Sequence, residues 1–201
     1  QRLLDYLRIE PSALGPATEW QRSNFLAMLR ELLEWAGILK LASQPPPRLI
    51  LRDGLLRSVL LNERLFQRIR ERLETLTKRH GHLWAGVAKR SSILSYLSLA
   101  LDMNNAFDAG TPAWAEIPPA LEREAAPPSY RWVQGRNMGR LHLARLDAGN
   151  HIPLLPVDLA FWQMERREET LAILRESARG SFPLRGYPMV LFEAHQKACF
   201  T

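Results

Sequence analysis

Residues 48–61 read RLILRDGLLRSVLL, an aliphatic run that ought to bury itself and that stops on the pair Asp53-Gly54. Three prolines in SQPPPR, at 43–48, end whatever helix precedes the run, and LILRD then reads as a short buried strand. A carboxylate at the C-terminal edge of such a strand is where mixed α/β enzymes place a metal ligand. It is also where ordinary strands simply turn.

Reading outward from the pair gives the surrounding organisation. Upstream, ATEWQRSNFLAMLRELLEWAGILK (17–40) predicts a helix, with Thr18 and Gln21 at capping-box spacing and Phe25, Leu29, Leu32, Leu33 and Leu39 recurring at helical period. Downstream, NERLFQRIRERLETLTKRHG (62–81) predicts a second helix: Asn62 caps it, Gly81 stops it, and Leu65, Ile69, Leu73 and Leu76 form its apolar stripe. Its other face carries Arg64, Arg68, Arg72 and Lys78. LWAGVAK (83–89) reads as the next strand, and SSILSYLSLAL (91–101) as a helix capped by Ser91 or Ser92. A strand-helix-strand-helix centre predicts parallel pairing with a right-handed crossover.

The stretch 102–129 is rich in Pro, Ala and Asn with little periodicity and reads as a surface insertion within one domain spanning 1–201. Beyond it, GRLHLARLD (139–147) alternates with period two, and HIPLLPVDLAFW (151–162) is extended and broken by prolines. ERREETLAILRESARG (165–180) predicts a helix closed by Gly180. In GYPMVLFEAHQKACF (186–200), Gly186 supplies a turn and Pro188 a first helical position.

At 201 residues, 46% hydrophobic and 24% charged, the chain is long enough to bury roughly 70% of its unfolded surface and needs no staples. One cysteine, Cys199, excludes an internal disulfide and a CxxC metal site and fits a reducing compartment. No run approaches the ~18–20 apolar residues of a membrane span, and the start QRLLDYLRIEP has no signal-peptide shape, so a soluble, cytoplasmic chain is expected. The net charge of +6 favours an anionic partner, although arginine is also a common residue of solvated helix faces. No P-loop, dinucleotide fingerprint, HExxH or GxSxG is present.

What remains is a set of separated acids, a lysine and a histidine. Asp53, Glu34, Lys89 and the Tyr187/His195 pair would converge at the C-terminal ends of a parallel sheet. Each also has a plain reading: Asp53-Gly54 as a turn, Glu34 as a solvated helix face, Lys89 as a surface lysine, His195 as a packed histidine.

Taken together, LILRDGLL, LWAGVAKRSSIL and the terminal GYPMVLFEAHQKA resemble the NurA family of prokaryotic nucleases, across about 31–199. The terminal element is the most specific of the three. The resemblance implies an RNase H-like mixed sheet flanked by helices, a dimeric toroid, and Mn²⁺-dependent (or Mg²⁺-dependent) degradation of DNA from 5′ ends. It further implies action on single strands or DNA ends and pairing with a HerA-type hexameric translocase in processing broken ends.

Carried over, Asp53 is the family's Asp-Gly metal ligand, Tyr187 and His195 are its C-terminal pair, and Glu34, or Glu31 one turn earlier, is its helical acid. Asp53, Glu34 and His195 would hold the metal, with Asp158 a conceivable third carboxylate. Arg68, Arg72, Lys89, Arg90 and Ser91 would line the DNA path. A carboxylate-held divalent ion would activate water, neutralise phosphate charge and stabilise the leaving oxygen, with His195 suited to a proton shuttle. The family pattern also begins with an earlier strand bearing an Asp-Gly aspartate, for which Asp5 is a poor substitute. These residues are therefore expected to lack one N-terminal strand, to bind Mn²⁺ weakly and to cleave poorly or not at all, a chain extended by a strand with an Asp-Gly pair being the active one. Two alternatives remain: a catalytically inactive DNA-binding adaptor of the same fold, and a structural oligomerisation domain.

Overall fold

The computed structural model describes residues 2–10, 12, 15–16, 19–58, 60–89, 92–104, 106–108, 110–125, 136–149 and 151–199. They form two compact units from interleaved stretches of chain. The first comprises Gln1–Ile50, Arg57–Leu83 and Trp132–Met138; the second comprises Leu51–Leu56, Trp84–Arg131 and Gly139–Thr201.

The first unit is helical, with α1 (Arg2–Leu7), α2 (Glu19–Ser23), α3 (Phe25–Ala42) and α4 (Glu63–His80). Helix α4 follows its sequence closely. The Asn62 side chain accepts from the Arg64 N–H at 2.9 Å, and Gly81 takes the left-handed conformation (φ 68°) that a side chain would resist. Leu65, Ile69, Leu73 and Leu76 are all buried.

Upstream the structure departs from expectation in two ways. The helix expected from 17 onward is interrupted at Asn24, whose φ of −108° separates α2 from α3; the Thr18 half of the capping box lies outside the described residues. Much of the stripe also turns outward, although Leu39 stays buried. Phe25, Leu29 and Leu33 are exposed, while Glu31, Trp35, Ile38, Leu39 and Ala42 are buried, with Trp35 set edge-on to Phe66 of α4 at 5.9 Å. FLAMLRELLEWAGILKLA is apolar on several faces, so its periodicity could not choose one. The Trp35 ring, the largest apolar group available, decided it by packing on α4.

The second unit carries most of a five-stranded mixed sheet. Its strands are β1 (Leu49–Asp53), β2 (Leu83–Val87), β3 (Ala113–Glu116), β4 (Gly139–Arg145) and β5 (Leu155–Ala160), in the order β1-β2-β5-β4-β3. β1 and β2 run parallel, as the strand-helix-strand order predicts. The Leu83 N–H donates to the Arg48 carbonyl at 3.0 Å near their starts, and the Gly54 N–H donates to the Val87 carbonyl at 2.9 Å near their ends. The other three pairings are antiparallel. This is an α/β architecture consistent with an RNase H-like arrangement, and β1 lies at an edge of the sheet among the described residues.

β2 and β5 are buried along their whole length, which explains their near-continuous apolar letters. The stretch read as a surface insertion contributes an edge strand instead, since Ala113–Glu116 pairs with β4. Four residues are too few for alternation to stand out in a sequence. Helices α5 (Ser92–Met103), α6 (Pro119–Ala125), α7 (Arg167–Ala178) and α8 (Met189–Cys199) complete this unit. Among the described residues no helix is long and apolar enough to cross a membrane.

Candidate active site

Asp53 is the last residue of β1 and is exposed. Its Oδ1 accepts a hydrogen bond from the Tyr187 hydroxyl at 3.0 Å, a contact that joins positions 134 apart in the chain. Tyr187 is buried, and burial together with the adjacent Asp53 charge pushes its phenol well above the ordinary tyrosine value. It therefore stays a neutral donor to the Asp53 carboxylate at any physiological pH.

Two sets of contacts fix this pair. On the Asp53 side, the loop after β1 is tied at successive residues. The Gly54 N–H bonds to Val87, the Leu55 carbonyl accepts from the Arg52 guanidinium, and the Leu56 N–H donates to Asp158 Oδ2 at 3.0 Å. Gly54 has φ 126°, a conformation that a side chain would oppose.

On the Tyr187 side, Asp147 accepts from the Ala148 N–H at 2.8 Å, the Gly180 N–H at 3.2 Å and the Arg185 guanidinium at 3.3 Å, holding the turn that leads to Tyr187. Burial alone would raise the Asp147 carboxyl, but these donors outweigh it and hold it below the usual carboxylate range. Gly186 (φ 78°) completes the turn against Ile152.

The other expected residues are distributed as follows. His195 is exposed on α8, in the same unit as Asp53 and Tyr187. Lys89 is exposed two residues beyond the end of β2, while Arg90 and Ser91 lie outside the described residues. Glu34 belongs to the first unit and is exposed on α3; Glu31 is buried there and accepts from the Trp35 indole at 3.1 Å. On α4, Arg68 pairs with Glu71 at 3.0 Å, and Arg72 donates to the Tyr6 hydroxyl at 3.2 Å while lying over its ring.

Asp158 differs most from its sequence reading. Weighed there as an additional open carboxylate, it has no exposed surface and is engaged by the Leu56 N–H. Among the described residues no three His, Cys, Asp or Glu side chains gather into a group able to hold a metal ion. What the described residues supply is one exposed carboxylate, held by a buried tyrosine at the end of a strand.

The family model for the NurA domain matches residues 10–200, a span that includes both members of this pair. The chain belongs to the NurA family. It is thereby a nuclease-type domain, of a family associated with the processing of DNA ends. No curated protein and no solved structure matches the chain. Sequence reasoning missed the NurA loop's buried support at Asp158 and the Asp147 tie. The signal for the first was one charged letter inside the otherwise apolar LPVDLA.

Proposed function

We propose that this chain is a metal-dependent deoxyribonuclease that trims DNA ends, working 5′ to 3′ or cutting single strands, with a HerA-type hexameric ATPase as its motor partner. The observation that carries the reading is the Asp53–Tyr187 contact at the end of β1, in a chain that belongs to NurA. Mn²⁺, or Mg²⁺ in its place, is the proposed cofactor, because carboxylate oxygen suits both ions.

The described residues do not by themselves fit a complete metal site, so their part is confined to placing one carboxylate and keeping Tyr187 protonated against it. Homodimer formation is proposed from the exposed apolar side chains of α3, where Phe25, Leu26, Leu29 and Leu33 face solvent. His195 remains proposed as the proton-handling residue of the site.

The test is hydrolysis of end-labelled single- and double-stranded DNA with and without Mn²⁺, for the parent chain, Asp53→Asn and Tyr187→Phe. Asp53→Asn is expected to abolish Mn²⁺-dependent cleavage while retaining the parent's melting temperature. Tyr187→Phe, which removes only the hydroxyl that orients the carboxylate, should lower turnover by about 10- to 100-fold. Cleavage by Asp53→Asn at the parental rate would remove Asp53 from the catalytic machinery. DNA binding without any cleavage by the parent would favour the adaptor reading.

A further inference from the structure

The carboxylate of Asp158 is the one fully buried acid among the described residues of the unit that holds the candidate site. It sits mid-way along β5, with Gly86 of β2 directly opposite on one side and Leu141 of β4 on the other. Residues directly opposite in antiparallel strands share a face. Gly86, Asp158 and Leu141 therefore share one face of the sheet, and Gly139, two residues from Leu141 on β4, is on it too.

The loop after Asp53 lies on that same face. A side chain added at Gly86 would run into the Gly54 carbonyl and come within 3.0 Å of the Leu56 N–H, and one added at Gly139 would approach Asp158 Cβ to 2.8 Å and Leu56 Cβ to 3.2 Å. Two glycines thus leave the loop room to lie against this face of the sheet. Asp158 rises between them and accepts the Leu56 N–H at 3.0 Å. A buried carboxylate among apolar neighbours is costly unless a donor meets it, so its presence at this point calls for a role.

We propose that Asp158 is a positioning residue for the nuclease site: with Gly86 and Gly139 it forms a seat that locks the Gly54–Leu56 loop, and through that loop fixes Asp53 against Tyr187. This rests on the nuclease reading above and adds a residue that acts through the loop rather than on DNA. Three restraints meet within four residues: Tyr187 on Asp53, Val87 on Gly54 and Asp158 on Leu56. Tyr187 holds the carboxylate at the strand end, and Asp158 holds the backbone just past it. Misplacing a reacting group by about 1 Å costs on the order of 100-fold in rate, so a seat of this kind acts on turnover more than on DNA affinity.

The experiment uses the full chain with ¹³Cζ-labelled tyrosine, the Tyr187 resonance being assigned by its loss in Tyr187→Phe. Asp53→Ala supplies the resonance position of a broken contact. Asp158→Ala removes the acceptor, and Gly86→Ala lifts the loop without touching the carboxylate. Both are expected to move the Tyr187 resonance toward its Asp53→Ala position and to lower kcat on the order of 100-fold with KM for DNA little changed. Asp158→Asn, which keeps an acceptor for Leu56, should restore most of the native resonance and of kcat.

If Asp158→Ala does not fold, Gly86→Ala and Asp158→Asn carry the comparison. A native Tyr187 resonance in Gly86→Ala and Asp158→Ala overturns the proposal, whether activity is kept or lost. Loss with a native resonance would mean that Asp158 merely packs. The resonance needs no turnover, so an inactive parent chain would count against the nuclease reading alone and leave the seat to be judged on the spectrum.

Discussion

At the scale of single residues, this protein uses buried polar groups as fasteners, and a buried histidine among them leads to a prediction about acid. His142, in β4, is almost wholly buried, and its Nδ1 lies 3.0 Å from the Arg140 carbonyl. A carbonyl only accepts, so Nδ1 carries the proton and Nε2 is left as a lone pair with no partner among the described residues. Protonation would place a charged N–H there without an acceptor, and burial accordingly depresses the His142 pKa, against smaller opposing effects of the Arg140 carbonyl and Glu116. The unfolded chain then binds a proton that the folded chain refuses, so stability is present above the ordinary histidine value of about 6.5 and is lost as pH falls below it. The melting temperature should drop between pH 7.5 and 5.5, and His142→Gln should shrink that drop. An equal drop in the variant would assign the acid sensitivity to other groups, of which His82, buried and likewise depressed, is the first to examine.

At the scale of elements, α4 and α3 show when a helix can be read locally and when it cannot. In α4 every local signal agrees: an Asn cap, a Gly stop and apolar residues confined to one stripe. Replacing Asn62 with Ala removes the acceptor for the Arg64 N–H and should cost about 1 kcal/mol, measured as a lowered urea midpoint with unchanged slope. A midpoint within error of the parent would show that solvent or a neighbour satisfies the helix start equally well. In α3 apolar residues occur on nearly every face, so local pattern names the element and leaves its orientation to packing. Asp53 was legible in the same local way, as a carboxylate where a strand meets a turn. Its engagement with Tyr187 was not, because no local rule joins positions 134 apart.

At the scale of the whole molecule, the net charge of +6 is the property most directly tied to the proposed substrate. Affinity for single-stranded DNA should fall linearly on a log–log plot against salt, with a slope of about −0.7 for each phosphate contacted. The two units suggest which cations to compare. Lys78, on α4, is held by Glu74 at 2.6 Å, whereas Lys89 is exposed just past β2, whose last residue accepts the Gly54 N–H. Lys89→Ala should therefore weaken binding and flatten the salt slope more than Lys78→Ala. Equal effects, or a parent whose affinity ignores salt, would remove the phosphate path from this end of the sheet.

The sequence by itself determined the pieces: the β1–α4–β2 unit with its parallel pairing, both ends of α4, the alternation of β4, the turn at Gly186, and the family to which Asp53 and Tyr187 belong. These follow from interactions spanning a few residues, such as caps, prolines, glycines with positive φ and apolar periods, which leave their mark in consecutive letters. Only the tertiary structure decided that β5 enters the sheet between β2 and β4, that Ala113–Glu116 closes an edge, that α3 buries Trp35, and that Asp158 supports a loop instead of offering an open carboxylate. Each of those outcomes depends on partners far apart in the chain. A carboxylate reads the same in sequence whether water or a backbone N–H 102 residues away solvates it, and only the fold supplies that neighbour.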